Sequence, residues 1–384
     1  MNKAISEIMA YLGPSAKYEI DKGLIIQKTC HTDKHLHKTS FTSALSVLGK
    51  IKDSNQYTSE DLLFFDIETS GTSGSSGIIV FMFGCGYFED GVFFVEQVFM
   101  PNPSRTLEMM KYLRDLFRKK RLLLSFNGKA FDLNIIKDKM AMMRLEEMPD
   151  FDHRQHFDLL FTGRRLFKKI ISSCSLSSIE KNILEIQRTE DDIPGFLIPL
   201  AYSQFLHEHL TGDIKKIFYH NKMDIISLLD LINHFASIME APTSQKHVKD
   251  DLELAKLLRK QKPEESEKIY RFITSEKYPD DIKNLAWIRL SLLLKSTERR
   301  EEAVKIWEEL VRTGKGGTLP YFELAKYHEH VSKDLKSAEA TTLKLLEMSE
   351  QKEQLGMDQT YKHDPVETQK RLERIRKKMN RRFY

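Results

Sequence analysis

Leu62-Leu63-Phe64-Phe65-Asp66-Ile67-Glu68-Thr69 reads as an apolar strand that delivers two carboxylates to its own end. The side-chain period of an extended chain is 2, so Asp66 and Glu68 emerge on one face, close enough to grip a divalent cation together. Two acids so placed repel each other unless a cation neutralises them. The run Ser70-Gly71-Thr72-Ser73-Gly74-Ser75-Ser76-Gly77 follows at once and reads as a loop with no bulky side chain to obstruct whatever approaches the acids. An Asp-x-Glu triplet is common by chance, and its meaning depends on whether further ligands follow downstream.

Working outward, Ile78 to Phe88 and Val92 to Met100 are dense in β-branched and aromatic residues and are separated by Glu89-Asp90-Gly91. That pattern predicts an antiparallel meander of three strands with the acids on the first. Cys85, between Gly84 and Gly86, is expected as a small buried filler. A helix follows, with Ser104 or Thr106 as its cap and Leu107, Met110, Leu113, Leu116 and Phe117 at helical spacing. Its basic end, Arg118-Lys119-Lys120-Arg121, suits the helix macrodipole better than it marks a nucleic-acid patch. Leu122 to Phe126 is a short buried strand, and Asn127-Gly128-Lys129-Ala130-Phe131-Asp132 turns from it into a further helix. The order strand, strand, strand, helix, strand, helix, with acids leaving strand one and entering the helix after strand four, is the ribonuclease-H-like arrangement. Asp132 is therefore the expected third ligand.

Asp66-Ile67-Glu68-Thr69 and Asn127-Gly128-x-x-Phe131-Asp132 resemble the first two motifs of the DEDD exonuclease superfamily, which includes proofreading exonuclease domains. Phe218-Tyr219-His220-Asn221-Lys222-Met223-Asp224-Ile225 supplies a third, at the start of an expected helix running through Ile225, Leu228, Leu229 and Ile232. The family's tyrosine branch has a Tyr four residues before the last Asp, and its histidine branch a His five before. Here His220 stands four before Asp224 and Tyr219 five before. Residues i and i+4 share a helix face, and a His accepts a proton near neutral pH more readily than a Tyr, so His220 is the candidate water-activating residue and Tyr219 a packing one. His156-Phe157-Asp158, Gly163-Arg164-Arg165, Ser173-Cys174-Ser175-Leu176, Glu180 and Asp192-Ile193-Pro194-Gly195 are similar to a bacterial subgroup of such exonucleases that carries tetratricopeptide repeats. Asp158 is expected to cap the helix that follows it, and Arg164 and Arg165, one turn into that helix, to meet either a phosphate or a salt-bridge partner.

The resemblance implies an α/β ribonuclease-H-like domain, a mixed sheet flanked by helices, acting as a 3′ to 5′ exonuclease with two divalent cations. It gives Asp66 the bridging position, Glu68 and Asp224 the rest of the first site, and Asp132 the second. Hard oxygen ligands with no Cys among them favour Mg²⁺ or Mn²⁺. Asn127, Thr69 and the Ser/Gly loop are the expected contacts to the terminal nucleotide. A structure-specific endonuclease on the same fold and a non-catalytic, repeat-based adaptor stay open beside this reading.

The domain organisation expected from 384 residues is a lead-in segment at 1–58, the nuclease-like domain at 59–238, a linker at 239–248 and a helical domain at 249–384. The lead-in carries His31, His35 and His37, expected to be solvated. Trp287, Leu290, Ala303 and Trp307 match tetratricopeptide spacing, and Phe322, Ala325, Ala338 and Thr342 make a weaker second copy. A degenerate pair at 252–258 and 266–272 precedes them, giving an all-α repeat domain suited to recruiting a protein partner, such as a helicase or another repair factor. The basic segment from Asp364 to Tyr384 is expected as a capping helix or as a contact to a nucleic-acid backbone. The net charge of +4 is too small to announce a nucleic-acid binder by itself. Three cysteines without CxxC spacing, no long apolar run, and no leader pattern in Met1 to Ile20 give an expected cytoplasmic location and no membrane partner.

Overall fold

The computed structural model describes residues 2–32, 41–71, 77–240, 248–275, 278–354 and 364–380. Contacts divide the chain into Met1–Ala241 and Pro242–Tyr384. The first unit is built on a seven-stranded sheet of order β1-β2-β5-β4-β3-β6-β7. Its strands are β1 (Ala16–Glu19), β2 (Leu24–His31), β3 (Leu62–Thr69), β4 (Val80–Glu89), β5 (Val92–Phe99), β6 (Leu122–Ser125) and β7 (His156–Asp158). The expected meander is β3-β4-β5, and Asp90 and Gly91 close its second hairpin at φ 50° and 75°, the left-handed pair that a two-residue turn requires. Strands β6 and β7 run parallel to β3, which makes the sheet mixed.

Residues 1–58 depart from the expected lead-in. Helix α1 (Asn2–Leu12) buries Ala4, Ile5, Ile8 and Leu12, and β2 pairs along β5 from Ile25↔Phe99 to His31↔Phe93. The segment thus covers the edge that β5 would otherwise expose. Its strands carry Lys17, Glu19, Gln27 and Lys28 among their apolar residues, a mixture that hides them from a hydrophobic pattern. His31 lies at the end of β2, whereas His35 and His37 fall outside the described residues.

Helix α2 (Thr106–Lys119) presses Met109, Met110, Leu113 and Phe117 against one face of the sheet, where Phe117 meets Phe65 and Phe83 edge-on. Its entry is capped one turn early: Asn102 Oδ1 accepts from Ser104 N at 3.0 Å, ahead of a 3₁₀ turn, in place of the expected Ser104 or Thr106 cap. The basic end is tied down, with Lys120 Nζ donating to Glu60 O at 2.7 Å and Arg121 paired to Asp61 at 3.4 Å. Helices α3 (Asp132–Met142), α4 (Leu159–Phe167), the short α5 (Leu176–Ile179), α6 (Ile198–Glu208) and the 29-residue α7 (Gly212–Glu240) follow. Helix α7 lies on the other face of the sheet. It starts eight residues before His220, because Ile214, Ile217 and Phe218 already supply an apolar stripe, so the third motif is mid-helix and not at a helix start.

The second unit is seven described helices: α8 (Val248–Leu258), α9 (Pro263–Ser275), α10 (Asp280–Ser296), α11 (Arg300–Arg312), α12 (Leu319–His330), α13 (Leu335–Gln354) and α14 (Pro365–Asn380). Each packs on its neighbour in sequence. Ala303, Ala325 and Ala338 are fully buried where helices approach, and Trp307 is buried with its indole N–H on Ser291 Oγ at 2.8 Å. Asp364 caps α14 through Val366 N at 2.8 Å. No helix among the described residues is long and apolar enough to cross a membrane.

Candidate metal centre

Strand β3 places Asp66 opposite Gly84 and Glu68 opposite Met82, and the register shifts between Glu68 and Thr69. The extra residue is on β4, where Phe81 falls between the partners of Glu68 and Thr69. The Asp66 and Glu68 side chains both face α7. Gly84 makes this possible, since a Cβ at that position would lie 2.1 Å from Asn221 Oδ1. Gly86 does the same one pleat along, where a Cβ would stand 2.7 Å from Ile225. The Gly84-Cys85-Gly86 run therefore lets the helix backbone settle close onto the strand, while Cys85 is buried on the far side as a filler.

Asn221, fully buried, donates through Nδ2 to Asp66 Oδ2 at 3.1 Å and accepts at Oδ1 from Gln97 Nε2 at 3.0 Å. Gln97 also donates to Phe218 O at 2.8 Å, so the amide that orients Asp66 is itself fixed from β5. His220 and Asp224 lie one turn apart on α7, with Nε2 and Oδ2 3.5 Å from each other. Glu68, His220 and Asp224 each bring one ligand atom into a group whose members all lie within 4.8 Å of one another. Glu68 Oε1 is buried with no hydrogen-bond partner among the described residues. A buried carboxylate oxygen left unpaired beside other acids is costly unless a cation meets it, so this donor set fits a divalent metal.

Asp132 opens α3. Burial, followed by the charges of Asp158 and Asp224, pushes its pKa up to about 7, against a bond from its own backbone. Asp66 is raised well above the carboxylate range, first by burial and then by Glu68, Asp224 and Asp132. Glu68 is raised by burial and Asp224, and Asp224 by burial against the pull of His220 and Arg188. The four carboxyls thus sense one another as a single electrostatic cluster.

The loop before Asp132 hangs on Asp158. That carboxylate accepts from Asn127 N at 2.8 Å, Lys129 N at 3.2 Å and Leu160 N at 3.2 Å, so it caps α4 and shapes the Asn127 turn together. Asn127 has φ 64°, a left-handed value that Asn tolerates. The Thr69 hydroxyl donates to Gly71 O at 2.7 Å, bracing the start of the Ser/Gly loop, and residues 72–76 of that loop lie outside the described residues. Arg164 and Arg165 stand exposed on α4. Tyr219 is turned to Thr189, whose N–H its hydroxyl accepts at 3.1 Å.

The sequence did not single out Arg188, and it gave Asn221, Glu180 and Asp192 no role at the site. Asp192 Oδ1 lies 2.7 Å from His220 Nδ1, and Arg188 is bonded to both Glu180 and Asp224. Asn221 had a signal, as the residue that follows the motif His. Arg188 had none, because its bond to Asp224 closes over 36 residues.

A family model described as the RNase_H superfamily matches residues 63–236. An uncharacterized protein of Bacillus subtilis (strain 168), YprB, is 34% identical over 291 residues, which covers 73% of this chain and 68% of that protein. Residues 63–236 form a domain of the ribonuclease H superfamily. The matched span opens one residue into β3 and closes four residues before the end of α7, the two elements that carry Asp66, Glu68, His220 and Asp224. Membership of the ribonuclease H superfamily points to a nuclease, to binding of nucleic acid and to use of a divalent metal.

Proposed function

We propose that this chain is a 3′ to 5′ exonuclease that hydrolyses terminal phosphodiesters of nucleic acid, DNA by preference, with two divalent cations, Mg²⁺ or Mn²⁺, held by Asp66, Glu68, Asp132 and Asp224. The observation that carries the reading is the convergence of ligand atoms from Glu68, His220 and Asp224, together with an unpaired buried oxygen of Glu68. Bound divalent cations supply Lewis-acid stabilisation of phosphoryl charge and acidify water. The protein's own residues do the rest. Asn221, fixed by Gln97, keeps Asp66 aimed. With Nδ1 turned to Asp192, His220 presents Nε2 on the side of Asp224, where it takes the proton of the attacking water. Asn127 and Thr69 flank the terminal nucleotide, and Arg164 and Arg165 offer charge to the phosphates behind it. Helices α8 to α13 read as three tetratricopeptide-like pairs that recruit a protein partner, such as a helicase or repair factor, with α14 as their cap.

The test is incubation of purified chain with 3′- and 5′-labelled single-stranded and duplex DNA and RNA, with Mg²⁺, Mn²⁺ or EDTA, beside Asp66→Ala. The expected result is a metal-dependent ladder shortening from the 3′ end, lost by at least about a hundredfold in Asp66→Ala. Internal cuts would select the endonuclease instead. No cleavage under any condition, or an Asp66→Ala as active as wild type, would overturn the two-metal reading.

A further inference from the structure

The carboxylate cluster has a guanidinium set into it. Arg188 sits in the chain between α5 and α6, and its side chain is 12% exposed. Nε donates to Glu180 Oε2 at 2.9 Å and Nη2 to Glu180 Oε1 at 2.5 Å, a bidentate fork on a carboxylate whose residue is only 2% exposed. That pairing fixes the plane of the guanidinium. Nη2 also bonds Asp224 Oδ1. Nη1 lies 3.5 Å from Asp192 Oδ2 and 3.2 Å from His220 Nδ1.

Asp224 is therefore claimed from two sides. Arg188 holds Oδ1, and the carboxylate also belongs to the group with Glu68 and His220 that fits a cation. A divalent ion bound there would share Asp224 with a fixed positive charge. Glu180 offsets that charge from behind, at a position that does not itself reach the ligand group. Like charges disfavour one another strongly where water is scarce, so the balance between Glu180 and Arg188 must enter the metal affinity.

We propose that Arg188, held by Glu180, is a positioning residue that orients Asp224 and weakens the site's hold on metal, so that the Glu180–Arg188 pair sets the affinity for the divalent ion. The inference rests on the metal-site reading above. A strong fixed cation at one ligand keeps the site from binding its metals too tightly, and it supplies partial neutralisation to the acids before any metal arrives.

The test is Mn²⁺ alone, titrated calorimetrically into the full chain and its variants, each first checked for a cooperative thermal transition. Arg188→Gln removes the competing charge and is expected to bind Mn²⁺ at least about fivefold more tightly. Glu180→Gln leaves Arg188 to lean on Asp224 and is expected to bind at least about fivefold more weakly. Arg188→Lys keeps the charge and is expected to stay within about twofold of wild type. Opposite shifts in the first two variants are what mere loss of structure would not produce. Unchanged or weaker binding in Arg188→Gln overturns the proposal, as does unchanged or tighter binding in Glu180→Gln, which decides alone if Arg188→Gln does not fold. A wild type that binds no Mn²⁺ overturns both this proposal and the metal site, whereas Mn²⁺ binding with these shifts but no hydrolysis of nucleic acid overturns only the nuclease reading.

Discussion

His156 holds Nε2 2.7 Å from Ser125 Oγ at the β6–β7 seam, while its Nδ1 is buried with no hydrogen-bond partner among the described residues. Burial, aided by Lys129, pulls its pKa down to about 3. In the unfolded chain the same ring titrates near ~6.5. Below that pH the unfolded state binds a proton that the native state refuses, so acid favours unfolding by up to about 1.4 kcal/mol per pH unit until the native ring also titrates. His156→Gln lacks this group. Chemical denaturation from pH 7 to pH 3.5 should therefore show wild-type stability falling relative to the variant as pH drops, and a stability difference that does not change with pH would contradict the burial of a neutral ring. At the same scale, Asp66 and Glu68, which share one short motif, and Asp132 and Asp224, which have one each, could be singled out in the sequence, and burial and mutual charge couple all four in the structure. Arg188 could not be singled out, because a lone Arg in a polar stretch carries no local mark of the buried Glu180 that holds it.

Among the elements, the pairing of β4 with α7 decides how close the motif helix comes to the acids. Gly84→Ala sets a methyl where Asn221 Oδ1 now lies, and the atom it meets is the middle of a fixed hydrogen-bond relay and not a free side-chain tip. The expected outcome is a loss of about 1–3 kcal/mol in denaturant unfolding, with metal-dependent activity falling further than stability as Asn221 swings off Asp66. A Gly84→Ala with wild-type stability and activity would mean that α7 is not held at this distance. The β3-β4-β5 meander was readable because its strands are long, apolar and closed by Asp90-Gly91. Strands β1 and β2 were not, because the charged and polar residues that the edge strand β1 and its neighbour β2 carry at part-exposed positions break the alternation. The mid-helix place of His220 was missed for a related reason: the turns before it are apolar enough to extend α7, and no breaker separates them from the motif.

For the whole molecule, charge is distributed so that most of the described basic residues of the second unit's last helix are held in ion pairs. Glu329, whose side chain is fully buried, collects Arg374 at 2.7 Å, Lys378 at 2.8 Å and Arg371 at 3.4 Å, and Arg376 pairs with Glu339 at 2.7 Å. Burial would raise Glu329, yet the bonds from Arg374 and Lys378 prevail and hold its pKa near about 2. Helix α14 is thus pinned to α12 and α13 by the residues that the sequence alone left equally suited to a nucleic-acid backbone. The catalytic reading rests entirely within Met1–Ala241, on carboxyls that burial and mutual repulsion leave in need of a cation. Crystals of the full chain soaked in Mn²⁺ and measured at an anomalous-scattering wavelength put that need to the test. The account predicts a Mn²⁺ peak coordinated by Asp66, Glu68 and Asp224, with a second within reach of Asp132. A difference map with no anomalous density at these carboxylates under saturating Mn²⁺, in crystals that bind the ion elsewhere, would contradict it.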